Sequence, residues 1–211
     1  LFGRGLLEPF LNDVLTVGRL DDGVRNSCKG LEKIFNEIST FLAKNCQPII
    51  LINAETFKSS NLVLIDLIVN GIWATIQKNL FSKVGTIFST GNARAYFINY
   101  NLSQNFIKNV VFVSGGTVSD FDRLKNTSIW SEFQSKWNLD IFFLLRQREI
   151  QNKLNLAFEG KSNPSFSHFL SESNGLAEAV SNCWDEDYLL LPLTHRHVKL
   201  TLEMLNRYTK W

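Results

Sequence analysis

Val24-Arg25-Asn26-Ser27-Cys28-Lys29-Gly30-Leu31-Glu32-Lys33-Ile34-Phe35-Asn36-Glu37-Ile38-Ser39-Thr40-Phe41-Leu42 is the stretch on which the fold class turns. Its apolar residues Val24, Cys28, Leu31, Phe35, Ile38 and Leu42 recur at a 4-3-4-3-4 spacing, and Ile34 and Phe41 widen the stripe. That is the period of an amphipathic α-helix with one side turned to a core. A helix is therefore expected over about residues 21–45. Asp21 and Asp22 suit its positive N-terminal end, and Pro48 follows as a stop.

The same period recurs on the C-terminal side. Leu62, Ile65, Ile68, Val69, Ile72, Trp73, Ile76, Leu80, Val84 and Ile87 predict a second helix over 61–90, closed by Gly91. A third is expected over 93–113, then a loop over 114–128 around Gly115 and Gly116. Ile129, Trp130, Phe133, Trp137, Phe142, Leu145, Ile150 and Leu154 predict a fourth over 128–158. A Ser-rich segment with Pro164 follows, and a last helix or helix pair covers 176–211. Only 49–52 and 110–113 look like strands outside a helical stripe, and two short runs do not make a sheet. The chain has only four prolines, so helices can run long. The expected fold is all-α: an elongated bundle of long antiparallel helices, of the kind that builds helical rods. Residues 1–158 are expected to form the bundle, 159–175 a connecting segment, and 176–211 C-terminal helices that close the same bundle.

Composition narrows the function. With 211 residues, 45% of them hydrophobic and 12% aromatic, the chain can bury a core, which excludes intrinsic disorder. The net charge of +2 comes from 22 basic and 20 acidic residues with no basic cluster, so the electrostatic stripe of a nucleic-acid binder is missing. Cys28, Cys46 and Cys183 show no CxxC spacing, which suits free thiols better than a disulfide framework or zinc site. Charges spread through 1–20 exclude a signal peptide there, and the most apolar stretch, 59–77, is interrupted by Asn61, Asp66, Asn70 and Gly71 and does not read as a membrane span. The opening Leu1-Phe2-Gly3, without Met, reads as a piece of a longer protein.

Three constellations carry possible chemistry. In His195-Arg196-His197 the two imidazoles sit two residues apart, which on a helix points them away from each other, so they cannot share a metal. The expected reading is His195 packed and His197 solvated. Asp185-Glu186-Asp187 lacks calcium-loop spacing and reads as acids favouring a helix N-terminus. Val110-Val111-Phe112-Val113-Ser114-Gly115-Gly116-Thr117 has the strand–glycine–helix order of a phosphate-binding loop, and a nucleotide- or phosphate-handling domain is the alternative function it offers. It lacks the Lys-Ser/Thr of a P-loop, so a glycine-capped helix end fits better. No catalytic residue, metal ligand or cofactor site is assigned from the sequence.

The most specific block runs Cys183-Trp184-Asp185-Glu186-Asp187-Tyr188-Leu189-Leu190-Leu191-Pro192-Leu193-Thr194-His195-Arg196-His197-Val198-Lys199-Leu200-Thr201-Leu202-Glu203-Met204-Leu205-Asn206-Arg207-Tyr208. Cys-Trp followed by acids, Leu-Pro-Leu, His-Arg, Lys-Leu-Thr-Leu and Arg-Tyr resemble the C-terminal region of subunit 2 of the conserved oligomeric Golgi (COG) complex. The resemblance implies a non-enzymatic scaffold subunit of a vesicle-tethering complex in intra-Golgi retrograde transport. It would lie in the cytoplasm, peripheral on the Golgi membrane. Other COG subunits would be its partners, with SNAREs, Rab GTPases and golgins more distant. Trp184, Tyr188, Leu191, Pro192, His195, Arg196, Leu202, Leu205 and Tyr208 are the residues singled out as signature and seam. Pro192 should divide two helical pieces, 184–191 and 192–208, or bend one helix at that point. The 4-3-4-3-4-3 steps from Trp184 to Leu205 predict that Trp184, Leu191, Val198, Leu202 and Leu205 face inward and Lys199, Glu203 and Arg207 outward.

Overall fold

The computed structural model describes residues 3–22, 27–45, 66–159 and 171–210, with the single positions 48 and 52. Every regular element among them is helical and none is a strand. The all-α expectation holds. The chain divides into two compact units, 1–89 with 98–137, and 90–97 with 138–211.

In the first unit a π-helical turn, Gly3–Leu7, leads into α1, Glu8–Val14, and then α2, Val17–Asp21, whose N-terminus is capped by the Thr16 hydroxyl. The next helix, α3, spans Leu31–Asn45. It starts ten residues later than the apolar spacing predicts, because the backbone turns first. Asp22 and Cys28 hold left-handed conformations with φ of 43° and 53°, which end a right-handed helix. The amide of Gly30 donates to the Leu20 carbonyl at 2.8 Å, and a Cβ on Gly30 would collide with the Arg19 carbonyl. Only glycine admits that approach. Leu31, Ile34, Phe35, Ile38 and Leu42 are buried as the stripe predicts, whereas Val24 lies outside the described residues.

The expected helix over 61–90 is a series of shorter pieces. Residues 61–65, with Leu62 and Ile65, lie outside the described residues. Asp66 accepts from the Val69 amide at 3.0 Å and opens a π-helical segment, Leu67–Trp73, which passes into α4, Ala74–Lys83. A 3₁₀ turn, Gly85–Phe88, ends the run. The stripe Ile68, Val69, Ile72, Trp73, Ile76, Leu80, Val84 and Ile87 is buried throughout. Helix α5 occupies Ala93–Val113, as expected, and the strand-like run 110–113 is its last turn. The other strand candidate, 49–52, falls outside the described residues except for its last position, which is helical.

Two expectations are corrected here. The loop read over 114–128 contains a helix, α6, Val118–Lys125, opened by a capping box in which the Thr117 hydroxyl accepts from the Asp120 amide and the Asp120 carboxylate accepts from the Thr117 amide. The helix read over 128–158 is two: α7, Ser128–Lys136, and α8, Leu139–Phe158. Trp137 leaves the helical conformation with ψ of 98°. Its ring packs among Phe88, Phe133 and Tyr100 at centroid distances of 4.7, 6.2 and 5.3 Å, inside the core of the first unit. A buried aromatic cluster thus outweighs continued helix, since aromatic burial is worth several hydrogen bonds of a solvated turn.

The second unit is built on α8. Phe142, Ile150, Leu154 and Ala157 form its buried side, with Tyr96 stacked on Phe142 at 4.8 Å. Against it lies α9, Ser171–Cys183, and the chain finishes in α10, Thr194–Lys210. Helix α9 begins five residues before the expected 176. Its Gly175 sits so close to Ala157 that a Cβ there would overlap the Ala157 Cβ.

Candidate interaction surface

Residues 184–193 connect α9 to α10 without the helical piece expected over 184–191. The Trp184 amide closes α9 onto Val180 and Ser181, Asp185–Tyr188 forms a turn, and Leu190 is extended. A 3₁₀ turn, Leu191–Leu193, then feeds α10. Pro192 lies in that first turn, where its missing amide hydrogen has no helical partner to lose. The helix boundary expected at Pro192 is therefore present, but only its C-terminal side is helical. The acids 185–187 belong to the connector, not to a helix N-terminus, and Asp187 pairs with Arg94 at 3.1 Å.

Helix α10 packs by a different side from the one expected. Leu193, His197, Leu200 and Met204 are buried. Leu191, Val198, Leu202 and Leu205 are 85, 43, 61 and 43% exposed. The inward seam of Leu191, Val198, Leu202 and Leu205 is thus corrected: these side chains face water. The expected seam was counted from Trp184 through a connector that is not helical, so its phase is lost before Thr194. Counting from Leu193 instead gives 193, 197, 200 and 204, a 4-3-4 series that a start after Pro192 would have selected. Trp184 and Tyr208 are half-buried, and Lys199, Glu203 and Arg207 are exposed as expected.

His195 and His197 exchange the places expected of them. His195 is exposed and His197 is 2% exposed. The His197 Nδ1 lies 3.5 Å from the Cys183 Sγ, and Phe143 meets the imidazole edge-on at 5.3 Å. Trp184 donates its indole N–H to the Thr201 hydroxyl at 2.9 Å, which in turn donates to the His197 carbonyl at 2.9 Å. Arg146 of α8 stacks its guanidinium over the Tyr188 ring at 4.0 Å, donates to the Asn182 carbonyl and pairs with Glu149 at 2.7 Å. Arg196 pairs with Asp140, and Arg207 donates to Asn155. The signature residues Trp184, Tyr188, Arg196 and Tyr208 (the last hydrogen-bonded to Ser173) therefore fasten α10 and its connector to α8 and α9.

Residues 135–211 match the family model described as COG complex component COG2, C-terminal. Along 99% of its length the chain is 27% identical to conserved oligomeric Golgi complex subunit 2 of Homo sapiens, covering 28% of that protein. Against the subunit 2 proteins of Arabidopsis thaliana and Drosophila melanogaster it is 28 and 24% identical over its whole length, covering 29 and 30% of them. The chain is similar to COG2 proteins, most specifically over residues 135–211. It spans less than a third of the length of these COG2 relatives. No solved structure matches it. Among the described residues no helix is long and apolar enough to cross a membrane.

Cysteine beside histidine is a pattern found in nucleophilic sites, yet the pair Cys183–His197 is built the other way. Burial pushes the Cys183 thiol up, against the opposing pull of Thr201 and Arg146. Burial also holds His197 below its ordinary imidazole value; the Cys183 contact opposes this and the Arg146 charge adds to it. Both groups are kept neutral, the reverse of a thiolate–imidazolium pair. The unfolded chain takes up a proton at this histidine near the ordinary value of about 6.5, before the folded chain does. Stability is therefore lost as pH falls below that value. Thermal melts between about pH 7.5 and about pH 5 should show an acid-side decline that is flatter in His197→Leu; equal slopes would contradict it.

Gly115 and Gly116 end α5 in a Schellman arrangement. Gly115 has φ of 86° and its amide donates to Phe112, while the Gly116 amide donates to Val111, each at 2.9 Å. Thr117 and Asp120 use each other's amides, and Asp120 places a carboxylate at the start of α6. Burial resists that charge, but the Thr117 contacts and Arg123 hold the Asp120 carboxyl below the usual range. The Gly115 and Gly116 amides are thus spent on the end of α5, and Asp120 sets a carboxylate where a phosphate-binding loop would place its anion. Gly115→Ala should cost about 1 kcal/mol in a chemical melt, from the left-handed backbone alone. A change in phosphate or nucleotide binding would contradict this.

Proposed function

We propose that this chain is a non-enzymatic scaffold segment of the COG tethering complex, acting in intra-Golgi retrograde transport from the cytoplasmic face of the Golgi membrane. The observation that carries the reading is similarity to COG subunit 2 of three organisms along practically the whole chain. The architecture supports it. The signature side chains secure helices to one another, and α10 leaves a second apolar side uncovered, which is how a subunit of a larger assembly is built. Other COG subunits are its direct partners in this reading, and SNAREs, Rab GTPases and golgins are reached through the assembled complex. The test is co-expression of the tagged chain with the remaining COG subunits, followed by affinity purification and size-exclusion chromatography. Co-elution with one or more subunits in fixed proportion is expected. Elution of the folded chain alone would overturn the proposal.

A further inference from the structure

We infer that the outer stripe of α10, Val198, Leu202 and Leu205 with Leu191 at its head, docks an amphipathic helix of a partner chain whose flanks are acidic. This deepens the scaffold reading, on which it rests for the partner being another protein subunit. Single exposed apolar residues are ordinary on a protein surface, but these lie on one line. Val198, Leu202 and Leu205 step 4-3 along the helix, and Leu191 is exposed in the 3₁₀ turn that leads into it. The opposite side of α10, Leu193, His197, Leu200 and Met204, is already buried in its own unit. A helix apolar on two sides is one made to lie between two neighbours, and among the described residues only one is present.

Charge selects the occupant. The charged side chains of Thr194–Lys210 other than histidine are Arg196, Lys199, Arg207 and Lys210 against Glu203, a net +3 on the helix itself, reduced to +2 by Asp140 of α8, which pairs with Arg196. The one carboxylate, Glu203, is 4.0 Å from Lys199. A second copy of α10 would set like charge against like, which is unfavourable across a helix seam. The exposed fractions of three leucines and one valine leave on the order of 400 Å² of apolar side chain to water, the size of the largest apolar patch on a typical monomer, which is often functional. A partner helix with leucine-type residues at 4-3 spacing matches the stripe, and Glu or Asp on its flanks matches His195, Lys199 and Lys210, all exposed.

The probes are two synthetic 21-residue helical peptides with the same leucine seam, one flanked by Glu and one by Lys, titrated by fluorescence anisotropy into the whole chain. The Glu peptide should bind at least about tenfold tighter than the Lys peptide. Leu202→Asp should weaken it by about tenfold or more with an unchanged circular-dichroism melt. The double variant Lys199→Glu with Lys210→Glu touches only exposed positions, and should narrow or invert the preference. Equal affinity for the two peptides, no binding of either, or undiminished binding by Leu202→Asp would each overturn the inference. So would a dimer in sedimentation that Leu202→Asp abolishes, since the occupant would then be a second copy. If the Glu peptide binds as expected while no COG subunit co-purifies, the surface stands and the scaffold reading falls.

Discussion

Gly175→Ala should destabilise the chain by about 1–3 kcal/mol, although alanine is the better helix former by about 1 kcal/mol. The reason is the crossing of α8 and α9. A Cβ on Gly175 would fall well inside contact distance of the Ala157 Cβ, and Ala157 is itself 1% exposed. Neither side chain has a rotamer to move, so the two helices must separate and lose packing along their whole contact. Ala157→Gly in the same chain removes the obstructing methyl group. The double variant should recover most of the loss, giving a coupling energy well above the about 0.5 kcal/mol expected of independent sites. Urea unfolding of the four proteins measures this. Additive effects would mean that the crossing is not as close as described.

Leu200→Ala should be costlier still, about 2–5 kcal/mol, the usual range for emptying a leucine site in a packed core. Leu200 is 2% exposed and lies beside His197 and Met204 on the buried side of α10. Leu202→Ala, two residues on, should change stability by less than about 1 kcal/mol, because its side chain is 61% exposed. Hydropathy does not separate two leucines, and the 4-3 count from Trp184 assigns the larger loss to Leu202. Urea unfolding of the two variants therefore decides the phase of α10 directly. A larger loss at Leu202 would restore the seam expected from the sequence.

The contrast shows where local pattern is sufficient and where it is not. Helix α5 is legible to the residue because Gly91 precedes it and Gly115 ends it, so the punctuation is local. The start of α3 is not, because Gly30 is needed for a contact with Arg19 eleven residues earlier, which leaves the apolar spacing undisturbed. Helix α6 carries a local signal, Thr117-x-x-Asp120, hidden in a stretch whose glycines and serines suggest a loop. The break between α7 and α8 has neither proline nor glycine. It arises from the rings around Trp137, which are assembled from residues as distant as Phe88. In the C-terminal block the sequence singles out signature residues by resemblance; the contacts by which Trp184, Tyr188 and Arg196 join helices are given by the structure alone. Their phase was not legible, because a non-helical connector shifts the count and the buried set includes a histidine. That histidine is stabilised by Cys183 and Phe143, which no spacing rule anticipates.

Helix α10 thus has one side buried in its own unit and another whose apolar side chains face water. The most direct test is affinity purification of the Leu202→Asp chain with the remaining COG subunits, with its melting temperature measured alongside. An unchanged melting temperature with loss of the subunits that the unmodified chain retains is the result predicted. Full retention of those subunits at an unchanged melting temperature would contradict the account.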